Sequence, residues 1–310
     1  NTALGFCSLR ANTTGADNTA LGRSSLSSNT TGGENTALGR STLASNSTGC
    51  KNVAIGASAL LLNTTNDNVA VGYQALEQNT SGTSNIAIGC GALESNTTAS
   101  DNVAMGKRAL GGTTTGCRNT AVGRTAMNGN TEGDTNVAVG YAALYYNTTA
   151  DNNTAVGYQS LLTNTTGFNN VGFGNQSLCT LDDGDWNTAI GQGSMAKTTT
   201  GSRNTAVGHN SLICNTTGSG NTAVGGTDSG TIPAMWKNTT GLCNSAFGTA
   251  ALSNNTTAGC NTAVGYVAGC SITTGGENTT IGSQSGKNIT TGLGNVTLGR
   301  EAGTDAVFNA

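Results

Sequence analysis

The residues Asn18-Thr19-Ala20-Leu21-Gly22 carry a five-residue pattern, Asn-x-Ala-x-Gly, that decides the fold of this chain. The pattern recurs with few changes in 18 copies, and 15 of the 17 intervals between copies have a length of 17. The other two intervals, from Asn52 to Asn68 and from Asn221 to Asn244, have lengths of 16 and 23. Self-similarity at a fixed period is typical of repeat architectures, and no gap between copies can hold a separate globular domain. The sequence therefore predicts one repeat domain over residues 1–310.

Each repeat combines strand residues with turn residues, here numbered from the repeat's Asn as position 1. Position 2 is Thr, Val or Ile in every copy except Ser245, position 4 is apolar, and position 5 is Gly. Positions 12 to 15 usually contain Asn-Thr-Thr-Gly, a run of turn-forming residues. Period-2 alternation favours a strand, and one repeat is too short to hold a crossover helix as well. We therefore predict an all-β, parallel β-solenoid of 18 coils, with two short strands per coil.

Composition excludes several classes of function. Only 9% of the 310 residues are charged and the net charge is -3, so there is no polybasic face for nucleic acid. No apolar run approaches the roughly 20 residues of a membrane span. His209 is the single histidine, and the carboxylates form no recurring pair. We expect no enzyme activity, no catalytic residues, no metal site and no cofactor.

The two faces of the predicted strand differ in side-chain size. We place positions 2 and 4 in the coil interior, together with the Leu or Met of position 9. Positions 1, 3 and 5 then form an outer strip of small residues, either a plain solvent-facing sheet or a close-packing surface for another chain. Asn at position 1 could instead stack as a ladder from coil to coil. The self-association strip is represented by Ala3, Ala20, Ala37, Ala121, Ala155 and Ala206.

The pentapeptide, with variants such as Asn52-Val53-Ala54-Ile55-Gly56, resembles the head repeats of trimeric autotransporter adhesins. It is also similar to repeats of some phage tail-fibre proteins. The resemblance covers nearly all of the chain. It implies a left-handed parallel β-roll and the association of three rolls along their length, with small residues near the shared axis.

The chain contains 17 Asn-x-Ser/Thr sequons. One interpretation is a secreted protein that carries N-glycans, and the other is that Asn and Thr serve only as turn and ladder residues. We predict glycosylation at several sequons of the recurrent turn, which are Asn12, Asn29, Asn46, Asn63, Asn79, Asn96, Asn147, Asn164, Asn215, Asn238 and Asn255. The remaining sequons are Asn152, Asn175, Asn254, Asn278, Asn288 and Asn295.

Nine cysteines without a CxxC pair disfavour zinc and redox motifs. Cys243 and Cys260 lie one coil apart at the same repeat position, a separation that suits a disulfide. An odd number of cysteines leaves at least one free or paired with a neighbouring subunit, and free buried thiols are the alternative. Disulfides would require an oxidising, extracellular setting.

Three irregular segments interrupt the pattern. The longest copy has an insertion near 226–237 that contains Trp236, either as a lateral contact or as a hydrophobic plug. Residues 181–186 carry three carboxylates, either as a solvated turn or as a calcium site. Gly269, Gly286 and Gly303 stand where Leu is usual, which predicts a thinner core and tapering coils over 261–310.

These observations favour a structural subunit of an extracellular surface fibre or filament, self-associating and N-glycosylated, with itself as partner. The alternative is an adhesin or phage tail-fibre shaft that presents a receptor-binding tip. A third hypothesis, ice binding by a regular Thr row, is disfavoured if the Thr at position 2 faces the core.

Overall fold

The computed structural model describes residues 1–227 and 231–304 and confirms an all-β, parallel β-solenoid with the repeat length read from the sequence. Within these ranges there is no helix. The chain divides into two compact units, Asn1–Asn152 and Asn153–Ala310. Part of the predicted insertion, residues 228–230, and the end of the predicted C-terminal coils, residues 305–310, lie outside the described residues.

Each coil contributes one strand of three residues, at repeat positions 2 to 4. The first unit holds β1 (Thr2–Leu4), β2 (Thr19–Leu21), β3 (Thr36–Leu38), β4 (Val53–Ile55), β5 (Val69–Val71), β6 (Ile86–Ile88), β7 (Val103–Met105), β8 (Thr120–Val122) and β9 (Val137–Val139). The second unit holds β10 (Thr154–Val156), β11 (Val171–Phe173), β12 (Thr188–Ile190), β13 (Thr205–Val207), β14 (Thr222–Val224), β15 (Ser245–Phe247), β16 (Thr262–Val264), β17 (Thr279–Ile281) and β18 (Val296–Leu298).

The strands of each unit stack in register, so that equivalent repeat positions lie beside each other. Ala20 of β2 pairs with Ala37 of β3, and the same correspondence holds along the unit. The amide of Thr19 donates to the carbonyl of Asn35 at 2.8 Å. Every repeat position therefore forms a row with the spacing of a β-ladder, about 4.8 Å per coil.

The second strand predicted for each coil is wrong, because left-handed residues interrupt the chain after the first. Ser24 and Leu26, at positions 7 and 9, have φ angles of 59° and 48°. Glu34, at position 17, has φ 60°. A non-glycine residue in this conformation costs roughly 1–2 kcal/mol. Hydrogen bonds between coils accompany these turns, such as Leu26 N to Thr42 O at 3.0 Å.

Glycine at position 5 is required by both conformation and space. Gly89 has φ 130°, which side chains of L-residues rarely adopt. A Cβ atom there would lie 2.6 Å from the carbonyl oxygen of Gly106 in the next coil. The invariant Gly of the pentapeptide thus allows adjacent coils to approach to ladder distance.

The two strand faces are reversed relative to the sequence-based assignment. The middle residue of the strand, at position 3, faces the interior, and positions 2 and 4 face outward. Of the predicted self-association strip, Ala20, Ala37, Ala121, Ala155 and Ala206 are at most 1% exposed, whereas Ala3 in the first coil is exposed. The sequence correctly predicts that inward and outward residues alternate, but it places the wrong set inside. A small residue such as Ala is needed at the inward position 3, because it lies opposite the buried Leu or Met of position 9.

Other buried side chains lie close to the glycines that replace Leu in the C-terminal coils. Gly269 and Gly286 replace Leu, as expected, but Ile272 and Ile289 at position 12 are fully buried. Thr280 at position 3 is also buried, and its Oγ1 would lie 2.9 Å from a Cβ added at Gly269. Thr280 and these two Ile residues therefore occupy part of the space that Leu would fill at Gly269 and Gly286. The tapering predicted over 261–310 stays a prediction.

Candidate interaction surface

The outward strand face consists of the side chains at positions 2 and 4 of each strand, and we use that name for it below. In strands β1–β9 and β10–β18 none of these side chains is buried. Position 4 carries apolar residues that are exposed in most strands: Leu21 is 40% exposed, Ile88 37% and Phe173 54%. In five strands this residue is a half-buried Val, namely Val71, Val122, Val156, Val207 and Val224. Position 2 carries Thr, Val, Ile or Ser, and neither position carries a charge in any of these strands.

The outward strand face is a continuous apolar surface of moderate area. Nine strands at ladder spacing span roughly 40 Å in the first unit, and a width of roughly 10 Å gives about 400 Å². The largest apolar patch of a typical monomeric protein is about 300–600 Å² and often marks an interaction site. Each unit thus presents an uncharged sheet face comparable in area to the largest apolar patch of a typical monomer.

Thr residues at position 2 also point outward on this face, as in β2 and β3. The reason for disfavouring ice binding is therefore removed. However, the exposed side chains at position 4, such as Leu21, Met105 and Phe173, differ in size and make the face uneven. A row of Thr beside such side chains is not a flat array of hydroxyl groups.

Two rows of buried Asn run along the inside of the coils. At position 1, the Oδ1 atom of Asn18 accepts hydrogen bonds from the backbone amide and from Nδ2 of Asn35, both at 3.0 Å. At position 12, Nδ2 of Asn46 donates to Oδ1 of Asn29 at 3.1 Å and to the carbonyl of Gly49 at 2.9 Å. The ladder suggested for position 1 is confirmed, and position 12 forms a second one.

The position-12 ladder contains all of the turn sequons predicted to carry glycans. Asn12, in the first coil, is half-buried. Ten others are fully buried, namely Asn29, Asn46, Asn63, Asn79, Asn96, Asn147, Asn164, Asn215, Asn238 and Asn255. A glycan is attached through Nδ2, so a glycan on a fully buried Asn and this fold exclude each other. Among the remaining sequons, the side chains of Asn152, Asn175 and Asn288 are exposed, and Asn288 donates to the carbonyl of Thr304.

The cysteines are all unpaired. Cys243 and Cys260, the predicted disulfide, are both exposed free thiols. In-register stacking keeps their Cβ atoms near ladder spacing, about 4.8 Å, whereas a disulfide needs about 3.8 Å. Burial raises the pKa of the Cys179 thiol, and a hydrogen bond to backbone lowers it by less.

The irregular segments add no metal site to the described residues. Residues 1–227 and 231–304 contain no group of three or more His, Cys, Asp or Glu that could hold a metal ion. In the acidic turn, Asp182 accepts a hydrogen bond from Thr165, and Asp185 accepts one from the amide of Phe168 at 2.9 Å. These carboxylates therefore join adjacent coils.

The insertion leaves its apolar side chains at the surface. Ile232 is 42% exposed and Trp236 39% exposed, while Ala234 and Met235 resume the buried positions 8 and 9. Lys237 Nζ lies 5.8 Å from the centre of the Trp236 ring. Of the two interpretations, the arrangement favours a lateral contact.

The part of the chain that the structure describes holds no apolar helix of membrane-spanning length. No known protein family matches this chain, and no curated protein matches it.

Proposed function

We propose that this chain is a structural subunit of an extracellular fibre or filament that self-associates through its outward strand face, as a left-handed roll related to the adhesin head repeats. The observation that carries the proposal is the exposed, uncharged apolar face that recurs on every coil. The proposal assigns the chain no catalytic role.

Burial supplies the driving force for such an assembly. Transfer of apolar surface out of water contributes about 25 cal/mol per Å², so an area of about 400 Å² on each partner is a substantial favourable term. Sheets pack face to face at about 10 Å with interdigitating side chains, which suits alternating Thr, Val, Leu and Ile. A standard-size interface buries about 800 Å² per partner, and the outward strand face of one unit supplies about half of that area.

The proposed extracellular location is supported by the few sequons and cysteines that lie at the surface. The sequons compatible with both the fold and a glycan are those at the surface, and Asn152 and Asn175 are exposed. Exposed thiols such as Cys90, Cys243 and Cys260 are available for bonds to neighbouring subunits in an oxidising setting.

The test is a pair of variants that differ only in where two lysines are placed. The variant Ile88→Lys/Met105→Lys puts charges on the outward strand face, and Thr98→Lys/Thr115→Lys puts them on exposed turn residues of the same two coils. We expect wild type and the turn variant to form the same oligomer in light scattering and sedimentation. The face variant should be monomeric with an unchanged circular dichroism spectrum. A wild-type chain that stays monomeric at high concentration, or an unaffected face variant, would overturn the proposal.

A further inference from the structure

We propose that copies of this chain lie side by side in the same direction and without stagger, the basic edge of one first unit against the acidic edge of the next. The basic edge is the row at position 6, directly after the strands. The acidic edge is the row at position 17, directly before them. This inference rests on the self-association proposed above and names its partner, a second copy, and its orientation.

The basic edge of the first unit carries four cations and no carboxylate. Arg23, Arg40, Lys107 and Arg124 follow β2, β3, β7 and β8, and all four are exposed. The other residues of this row in the unit are Phe6, Ala57, Tyr73, Cys90 and Tyr141. One side of the outward strand face is therefore lined by positive charge alone.

The acidic edge lies on the opposite side of the same face. Asp17, Glu34, Asp67 and Asp101 precede β2, β3, β5 and β7, and all are exposed. Two cations interrupt this row, Lys51 before β4 and Arg118 before β8. Arg118 is already paired within the chain, because its Nη2 lies 3.1 Å from Oδ2 of Asp134.

The charges of the two edges do not neutralise each other within one chain. Two ion pairs occur among residues 1–227 and 231–304, Arg118–Asp134 and Arg300–Glu301, and neither includes a basic-edge cation or an acidic-edge carboxylate of the first unit. The guanidinium of Arg124 lies 5.9 Å from the centre of the Tyr141 ring, a contact that leaves its charge unneutralised. No described ion pair therefore uses the charges of these two edges, and a carboxylate close to the basic edge is that of Glu94, which lines one cavity with Lys107 and Arg124.

The two edges match strand by strand. Strand β2 lies between Asp17 and Arg23, and β3 lies between Glu34 and Arg40. In the same way, β7 lies between Asp101 and Lys107. A rotation about an axis parallel to the rows sets the basic edge of one copy against the acidic edge of the next at the same height. At β2, β3 and β7 a cation of one copy then lies beside a carboxylate of the next. In an antiparallel arrangement the basic edge of one copy would lie beside the basic edge of the other.

Stagger between the copies weakens the match. A shift of one coil in one direction brings Arg40 to Lys51 and Lys107 to Arg118. A shift in the other direction replaces the three matches with two new ones, Arg40 with Asp17 and Arg124 with Asp101. The unstaggered arrangement places two like charges together, Arg124 of one copy and Arg118 of the next. The charge of Arg118 is offset by its ion pair with Asp134. Charge complementarity of this kind fixes register and partner choice.

The second unit offers a comparison within the same molecule. Its position-6 row, from Tyr158 to Arg300, contains a single Arg or Lys, which is Arg300. Its position-17 row carries one carboxylate, Glu277, and one cation, Arg203. Its outward strand face is as apolar as that of the first unit, but the charges that would set orientation are confined to the first unit.

The test uses two charge-reversal variants of the full chain. One is Arg23→Glu/Arg40→Glu/Lys107→Glu, and the other is Asp17→Lys/Glu34→Lys/Asp101→Lys. We expect each alone to associate at least about tenfold more weakly than wild type in sedimentation analysis, since like charges now meet. Mixed together, they should form a heteromer of near wild-type affinity. The wild-type affinity should fall as salt rises toward about 0.5 M. The control Arg203→Glu/Glu277→Lys, in the second unit, should behave as wild type.

The outcomes separate this inference from the proposed function. Single variants that associate like wild type, with no gain on mixing, would overturn the orientation while the lysine variant of the outward strand face still abolished association. Wild type that never associates would overturn both.

Discussion

The coils of the first unit and the last described coils build the same core in two ways. In the coil of β6, Leu93 at position 9 faces Ala87 at position 3, and Asn96 at position 12 belongs to the inner ladder. In the coil of β17, Gly286 replaces Leu at position 9, and the buried bulk comes from Thr280 and Ile289. The comparison shows that the bulk of the core can move from position 9 to positions 3 and 12.

The change of core has a cost in hydrogen bonding. Asn255 is the last Asn of the position-12 ladder, and Ile272 takes the place of its donor in the next coil. The Oδ1 atom of Asn255 is consequently buried with no hydrogen-bond partner. Asn96 is in the same state, because Thr113 replaces Asn in the following coil. A buried unsatisfied acceptor costs about 1–3 kcal/mol.

The largest expected effect comes from transplanting the second kind of core into the first unit. Leu93→Gly should lower the free energy of unfolding by about 2–4 kcal/mol, because it removes a fully buried side chain. Asn96→Ile should also destabilise, because Nδ2 of Asn96 donates to Oδ1 of Asn79 at 2.7 Å. In the double variant the Ile fills the space of the Leu, so urea denaturation should show a loss at least about 1 kcal/mol smaller than the sum.

The matched control pairs Leu93→Gly with Asn29→Ile, four coils away at roughly 19 Å, where the two effects should add. If the effects of Leu93→Gly and Asn96→Ile were also additive, the Ile at position 12 would not fill the space that the Leu at position 9 leaves.

The reverse transplant should have a moderate effect. A Cβ atom at Gly269 would lie 2.9 Å from Thr280 Oγ1 and 3.1 Å from Ile272 Cδ1, so Gly269→Leu overpacks the core at this point. We expect a loss of about 1–3 kcal/mol in thermal or urea denaturation. Adding Ile272→Asn should recover part of this loss, since it makes room and gives Asn255 Oδ1 a donor. A neutral Gly269→Leu variant would mean that the last coils are underpacked.

The smallest effect should come from repairing the ladder where it is broken. Thr113→Asn should raise the free energy of unfolding by about 1 kcal/mol, because it supplies a donor to the buried Oδ1 of Asn96. Thr115→Asn, at an exposed turn position of the same coil, should change stability by less than about 0.5 kcal/mol. If the two variants have equal effects, the ladder bond contributes nothing of its own.

The repeat length, the strand and the turn could be predicted from the sequence because each depends on residue types with a specific structural role at a fixed repeat position. Gly at position 5 and Asn at position 1 recur in every copy, and each has a direct role between coils. The second strand was mispredicted because the left-handed conformations at positions 7 and 17 are held by ordinary residues, such as Ser24 and Glu34. Such conformations are imposed by stacking and have no signature within one repeat.

The outward strand face could not be assigned from the alternation alone. Thr19-Ala20-Leu21 alternates equally well with either face inward, and apolar branched residues usually lie in a core. The usable signal was size: position 3 is never larger than Thr, while position 4 ranges up to Phe173. The charged edges are visible in the sequence, but they acquire meaning only once the face between them is known to be exposed.

The in-register rows have a consequence for how such a chain can change over generations. Because a coil contacts its neighbours through the same positions as every other coil, loss or duplication of one whole repeat inside the first unit leaves each remaining interface chemically equivalent. A change of another size keeps the later coils in register only where a turn absorbs the difference, as it does in the coils of 16 and 23 residues. Recombination between repeats can therefore change the number of coils one at a time. The residues inside a coil can change less freely, because they must fit the equivalent residues of the two neighbouring coils.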